Sequence, residues 1–215
     1  MMYADKIKKA LTPLERQLFS RLNTPQKIQD YLDSLPINFE TEGETYMSPR
    51  RTIKAMTAHC FEGALLAAAI LAYHGQKPFI LDLKTAPVDQ DHVVALFKQN
   101  GYWGAISKTN HAVLRYRDPV YASVRELTLS YFHEYFMEDG RKTLRTYSAP
   151  FDMSSRPLTS WLTREEELFD LVQELDVSPH FPLVPKKNIK LLRKATKFEI
   201  DTVEAAEWHA SGKRN

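Results

Sequence analysis

From Phe61 to Tyr73 the chain reads FEGALLAAAILAY, an almost unbroken apolar run with Glu62 as its single charged residue and His74-Gly75 closing it. Alanine and leucine are strong helix formers, and a glycine just past the last apolar residue is a helix-stop signal. A helix that is apolar on almost every side has to be surrounded by protein. The stretch from Ala64 to Tyr73 is too short to cross a bilayer, which takes about 20 apolar residues. The rest of the chain must therefore be layered around a central buried helix. Cys60, the only cysteine, stands at its start.

The 215 residues are 43% apolar and 26% charged, ordinary values for a globular protein, and we expect a single domain over residues 1–215. The formal charge of +2 comes from nearly balanced acids and bases, so the charge pattern calls for no polyanionic partner. The basic residues Lys186, Lys187, Lys190, Arg193, Lys194 and Lys197 interleave with Ile189, Leu191 and Leu192 and read as the solvated face of an amphipathic helix, not as a nucleic-acid site. One cysteine rules out an internal disulfide and fits a reducing compartment. Without a signal-peptide core near Met1 or a membrane-length apolar run, the expectation is a cytoplasmic protein with no membrane partner. Nothing in the sequence speaks to oligomeric state.

Helical spacing of Leu14, Leu18 and Leu22, then of Ile28, Tyr31, Leu32 and Leu35, predicts a helical pair over 13–35, broken at Thr24-Pro25, an N-cap followed by a proline at the first helical position. Residues 36–51 read as irregular chain. Beyond the central helix, Pro78–Leu83 and Asp91–Phe97 read as buried strands, and Asn100-Gly101 as the tight turn of a hairpin leading into Tyr102–Ile106. His111–Asp118 is a strand or a crossing loop ended by Pro119, Tyr121–Tyr135 is helical, and Leu144–Phe151 is an edge strand. A helix over Arg164–Leu175, capped by Thr163, opens a C-terminal helical extension over 160–210, and the tail frays at 211–215. The core is expected over about 37–150.

A thiol at a helix start meets unpaired N–H groups and the positive end of the helix dipole, both of which favour a thiolate. The order of helix-start cysteine, helix, strand, loop and a strand opening on His92 brings the helix start against the sheet edge from which His92 emerges. A thiol beside an imidazole is the minimum unit of cysteine nucleophilic catalysis. Cys60 opening an alanine-rich helix that ends in glycine, His92 followed by apolar strand residues, and Trp103 on the paired strand together resemble the transglutaminase-like superfamily of the papain-like cysteine fold. The resemblance covers roughly Ser48 to Asp118.

That resemblance implies an α+β fold with a papain-like core: a central helix packed on an antiparallel β-sheet, flanked by N- and C-terminal helices. It implies acyl transfer or amide hydrolysis through a thioester on Cys60, with a peptide or small amide as substrate and with no cofactor and no metal. The family pattern places an aspartate four residues after the tryptophan to orient the histidine; this chain has Ser107 there. Ser107 and Asn110 are equal candidates for that role, Asp118 ranks below them, and Asp82 and Asp91 lie in the neighbourhood. Pocket candidates are His59, Glu62, Trp103 and Arg115, with a cap or an ion pair to Arg50 or Arg51 as the ordinary role for Glu62. Adjacent His59 and Cys60 cannot easily address one ion, so a metal site built from them with Glu62, His92 and His111 is disfavoured. The absence of the aspartate leaves a second reading, a binding or scaffold module without turnover.

Overall fold

Every residue from Phe61 to Ala72 is buried, as a helix apolar on all sides requires. The computed structural model describes residues 2–208 and layers the chain around that helix. Along it run helices α1 (Tyr3–Ala10), α2 (Pro13–Arg21), α3 (Pro25–Ser34), α4 (Pro49–Ala55) and α5 (Cys60–Tyr73), then strands β1 (Phe79–Thr85), β2 (His92–Gln99), β3 (Tyr102–Ile106) and β4 (Arg117–Tyr121). Helix α6 (Val124–Phe132), strands β5 (Leu144–Ser148) and β6 (Phe151–Asp152), helix α7 (Phe169–Asp176), strand β7 (His180–Pro182) and helix α8 (Lys197–Ala205) follow. The strands form one seven-stranded antiparallel sheet in the order β4-β3-β2-β1-β5-β7, with β6 also paired to β1. The fold is α+β.

The two-residue period of a strand divides β2 between two cores. Val93, Ala95 and Phe97 join Ile80 and Ile106 beneath α5, with α1 and α3 closing over the helix from outside. Val94 and Leu96 join Leu81, Leu83 and Ala105 on the opposite face, under Leu127, Tyr131 and Phe132 of α6. Helices thus cover both faces of the central strands. That is why β1 and β2 read as continuous apolar runs and not as alternating ones.

Local signals correctly placed much of this. Thr24 caps α3 by accepting from Lys27 N–H, with Pro25 at the first helical position. Asn100 and Gly101 both adopt positive φ, 49° and 88°, as a two-residue type I′ turn between β2 and β3 demands.

Elsewhere the structure corrects the sequence. A third N-terminal helix, α1, precedes the expected pair; only Ile7 of it is fully buried, too thin a stripe to announce itself among its charges. The irregular 36–51 segment ends in α4, capped by Ser48. Pro119 does not end a strand but sits within β4, an outer strand where a missing N–H is tolerated. The helix expected at Arg164 begins only at Phe169, because Glu167 is drawn away to Arg51 and to the N–H of Tyr46.

The C-terminal extension is only partly helical: it contributes β7 to the sheet and a 3-10 turn at Lys186–Leu191 in place of the basic amphipathic helix. Trp161 and Leu162 belong to the main core, which reaches past residue 150. The expected fraying at 211–215 lies outside the described residues. Among the described residues no helix is long and apolar enough to cross a membrane.

The spacing between α5 and the end of β3 depends on Gly63. A methyl group built there would overlap Lys108 Cβ, the rigid base of a side chain whose neighbour is Ser107. Overpacking of this kind costs about 1–3 kcal/mol. Gly63→Ala is therefore expected to lower the unfolding free energy measured in urea by that amount and to slow alkylation of Cys60, both measurable on one preparation; wild-type values for both would show that this spacing does not matter.

Candidate active site

The start of α5 is fixed by a carboxylate. Glu62 is fully buried. Its Oε1 accepts from Thr45 Oγ1 at 2.9 Å and from Met47 N–H at 3.1 Å, while Oε2 accepts from His59 N–H at 3.0 Å and from the Asn38 amide at 3.2 Å. This carboxylate ties residues 38–47 to the first helical turn and completes a capping box with His59, whose Nδ1 accepts from Phe61 N–H. The cap-like role is the one it plays; neither arginine pairs with it. Arg50 goes to Glu15 at 2.8 Å and Arg51 to Glu167 at 2.6 Å.

Cys60 is half-buried and lines a cavity of about 390 Å³ together with His59, His92 and the chain at 37–40. The imidazoles of His59 and His92 share that wall with the thiol. His92 opens β2, is buried, and places Nε2 2.7 Å from Ser107 Oγ. With Nε2 engaged there, Nδ1 is the nitrogen left for the thiol. The structure thus brings Cys60 and His92 to one cavity, and Ser107 is the residue bonded to the histidine. Asn110 is not: its amide donates to Glu207 Oε1 at 3.0 Å.

Ser107 is itself held by a residue the sequence reading passed over. The Gln29 side chain forms a two-way clamp, with Oε1 accepting from Ser107 N–H at 3.0 Å and Nε2 donating to Ser107 C=O at 2.8 Å, and so takes the place of a neighbouring strand. Gln29 shares the buried stripe of α3 with Pro25, Ile28 and Leu32. A polar residue on an apolar stripe was the available signal. Lys108 turns the other way and donates to the carbonyls of Leu32 and Leu35 at the end of α3.

Electrostatics sets this thiol apart from an inert core cysteine. Burial pushes the Cys60 thiol up, yet hydrogen bonds and charge from His59 and His92 together hold it well below the ordinary thiol range. Burial likewise opposes charge on His59, but Cys60, Glu62 and the Thr45 carbonyl raise it to about 9. Burial lowers Lys108 to about 8, helped by Arg115 and opposed by Asp33. The cavity wall carries five carboxylates, Glu40, Asp89, Asp91, Glu134 and Glu207, against Lys108, whose ammonium is occupied at α3.

Other candidates lie apart from the thiol. Trp103 stands at the far end of the β2–β3 hairpin, beneath the Lys98 ammonium and beside Phe79, and does not line the cavity of Cys60. Arg115 faces Asp33 at 3.8 Å, also outside that cavity. Asp82 Oδ2 lies 3.1 Å from His180 Nε2, Asp91 accepts from Thr85 N–H at 2.7 Å, and Asp118 is exposed, so none of them orients His92. The wall includes Tyr135, whose hydroxyl donates to Gln90 C=O at 2.6 Å; no local pattern marked it. Carboxylate oxygens of Asp82, Asp91 and Asp176 lie within 4.8 Å of one another, and the Lys84 ammonium pairs with Asp176 among them.

Two substitutions separate orientation from support. A neutral hydrogen bond contributes about 0.5–1.5 kcal/mol, so Ser107→Ala is expected to slow iodoacetamide alkylation of Cys60 by up to about tenfold with little loss of stability. Gln29→Leu leaves a buried N–H and C=O unpaired and is expected to cost about 1–3 kcal/mol in urea unfolding. The reverse pattern, a stable Gln29 variant and an unfolded Ser107 variant, would place the support in the wrong residue.

No known protein-family model matches this chain and no curated protein matches it significantly, so its functional reading rests on the arrangement of Cys60, His92 and Ser107.

Proposed function

We propose that the chain is a transglutaminase-like cysteine acyl-transfer enzyme on a papain-like core. The observation that carries this reading is the His92 imidazole bonded to the Ser107 hydroxyl and sharing one cavity wall with Cys60, the first residue of a buried helix. Bonding of Nε2 to Ser107 keeps the ring in the orientation that turns Nδ1 to the thiol, which is the role the family gives to an aspartate. Serine supplies the geometry without the charge.

In the reaction, the Cys60 thiolate attacks an amide carbonyl and forms the C–S bond, while the carbonyl electrons move onto oxygen. The Cys60 N–H at the helix start is the natural donor to that oxyanion. Collapse breaks the C–N bond, and the departing amine takes a proton from the His92 imidazolium. The thioester then passes its acyl group to water, giving hydrolysis, or to an amine, giving transfer, with His92 removing the proton of the incoming nucleophile. Residues 48–57 fold largely as α4 and do not line the cavity, so they offer no second oxyanion donor. A carboxylate-rich wall disfavours anionic acyl groups.

The competing reading, a module that binds without turning over, draws on the missing charge at Ser107. p-Nitrophenyl acetate separates the two. An enzyme is expected to release nitrophenolate in a burst and to carry an acetyl group on Cys60 by mass spectrometry, with no adduct in Cys60→Ala and acylation slowed about 100-fold or more in His92→Asn. Hydroxylamine in place of water reads transfer as hydroxamate. Equal nitrophenolate release from Cys60→Ala and wild type would remove the mechanism.

A further inference from the structure

Part of the wall around Cys60 comes from the C-terminal part of the chain. We infer that α8 and residues 207–208 form a strap over the cavity, latched on Asn110, which lets small molecules reach Cys60 when shut and lifts to admit a polypeptide. This rests on the reading of Cys60 as the reactive group and adds a control of access to it.

The strap is fixed at its two ends and at little between them. At its start Ala195 is buried, and its N–H donates to Gly140 C=O at 2.8 Å. Gly140 has a φ of 78°, and a methyl group built on it would overlap the Ala195 backbone, so the glycine lets the two segments meet. Thr196 then caps α8 in a capping box with Glu199. None of the nine residues of α8 is buried, and Phe198 is 81% exposed. Isolated helices shorter than about 12–15 residues are marginal in water, and α8 has no buried side chain to make up for its length. Its position therefore depends on its ends.

At the far end, main chain and side chain make the latch together. Trp208 N–H donates to Asn110 C=O at 2.9 Å, the Asn110 amide donates to Glu207 Oε1 at 3.0 Å, and Glu207 pairs with His111 as an antiparallel bridge. His111 Nε2 also lies 3.6 Å from Glu207 Oε1. Val203, Glu207, Asn110 and His111 all line the cavity that holds Cys60 and His92, so the latch closes on the wall of the site itself. Asn110 follows two anchored residues, Ser107 clamped by Gln29 and Lys108 bonded to the carbonyls of Leu32 and Leu35. The strap is thus fastened to a rigid part of the wall. A segment with few buried contacts opens at far lower free energy than the core does. A cavity of about 390 Å³ is at the small end for a ligand site, so a polypeptide needs the strap raised.

The test is the rate of Cys60 modification in the full chain by iodoacetamide and by a maleimide carried on a long polyethylene glycol, for wild type, Asn110→Ala, Glu207→Ala and Glu207→Gln. Each alanine variant removes one latch hydrogen bond between side chains, so both are expected to speed the bulky reagent about two- to tenfold and to leave iodoacetamide near its wild-type rate. Because they remove the same bond, combining them is expected to add little to either alone. Glu207→Gln keeps an oxygen for Asn110 and is expected to behave as wild type. A ratio of bulky to small rates that is the same in wild type and both alanine variants overturns the strap. Hydrogen exchange separates opening from loss of fold: in Asn110→Ala the amides of 197–208 are expected to exchange faster with those of α5 unchanged. A rise shared by α5, or no rise, overturns it too. An acyl adduct on Cys60 without this gating would leave the enzyme reading standing and remove the strap; gating without an acyl adduct would do the reverse.

Discussion

The burial of α5 on every side is the constraint on which the rest of the structure depends. Removing one leucine-sized side chain from water stabilises a fold by about 1.5–3 kcal/mol, and this helix buries all its residues from Phe61 to Ala72. It can do so only with a sheet on one side and helices on the other, which accounts for α1, α3 and α4 and for the face of β1 to β3 that meets it. A helix enclosed in this way has little surface left for chemistry. Its N-terminus is the part that meets the cavity, and that is where the chain has its one thiol.

Placing a reactive group there requires the helix start itself to be rigid. Glu62 meets this need with acceptor bonds to Asn38, Thr45, Met47 and His59, which convert a long irregular segment into the wall beside Cys60. The same carboxylate stands behind His59. With Oε1 3.5 Å from His59 Nε2, one acid serves both the helix cap and the loop beside the site.

The central helix, β1 to β3 and the Asn100-Gly101 turn were legible because their signals are local: periodicity, a stop glycine, a turn pair. Cys60 and His92 were legible for the related reason that each lies at the end of such an element. Long-range pairing was not. Strand β7 is short and finds its partner in β5 far along the chain, Trp161 enters the core from a 3-10 turn, and Glu167 shortens α7 by reaching back to Arg51. Within the site, the choice between Ser107 and Asn110 was open because it turns on which backbone Gln29 grips, 78 residues away in sequence. Trp103 and Arg115 were assigned to the pocket on residue type, but β3 carries Trp103 to the far end of the hairpin and Arg115 lies in a bend before β4, where it faces Asp33.

The account stands on the claim that His92 presents a bare nitrogen to Cys60 while its other nitrogen is held by Ser107. Nitrogen-15 NMR of the imidazoles in the resting protein at neutral pH measures this directly. The account predicts a hydrogen on Nε2, donated to Ser107, with Nδ1 as the nitrogen turned to the thiol. A ring hydrogen on Nδ1, with Nε2 accepting from the serine hydroxyl, would leave no base facing the thiol and would contradict it.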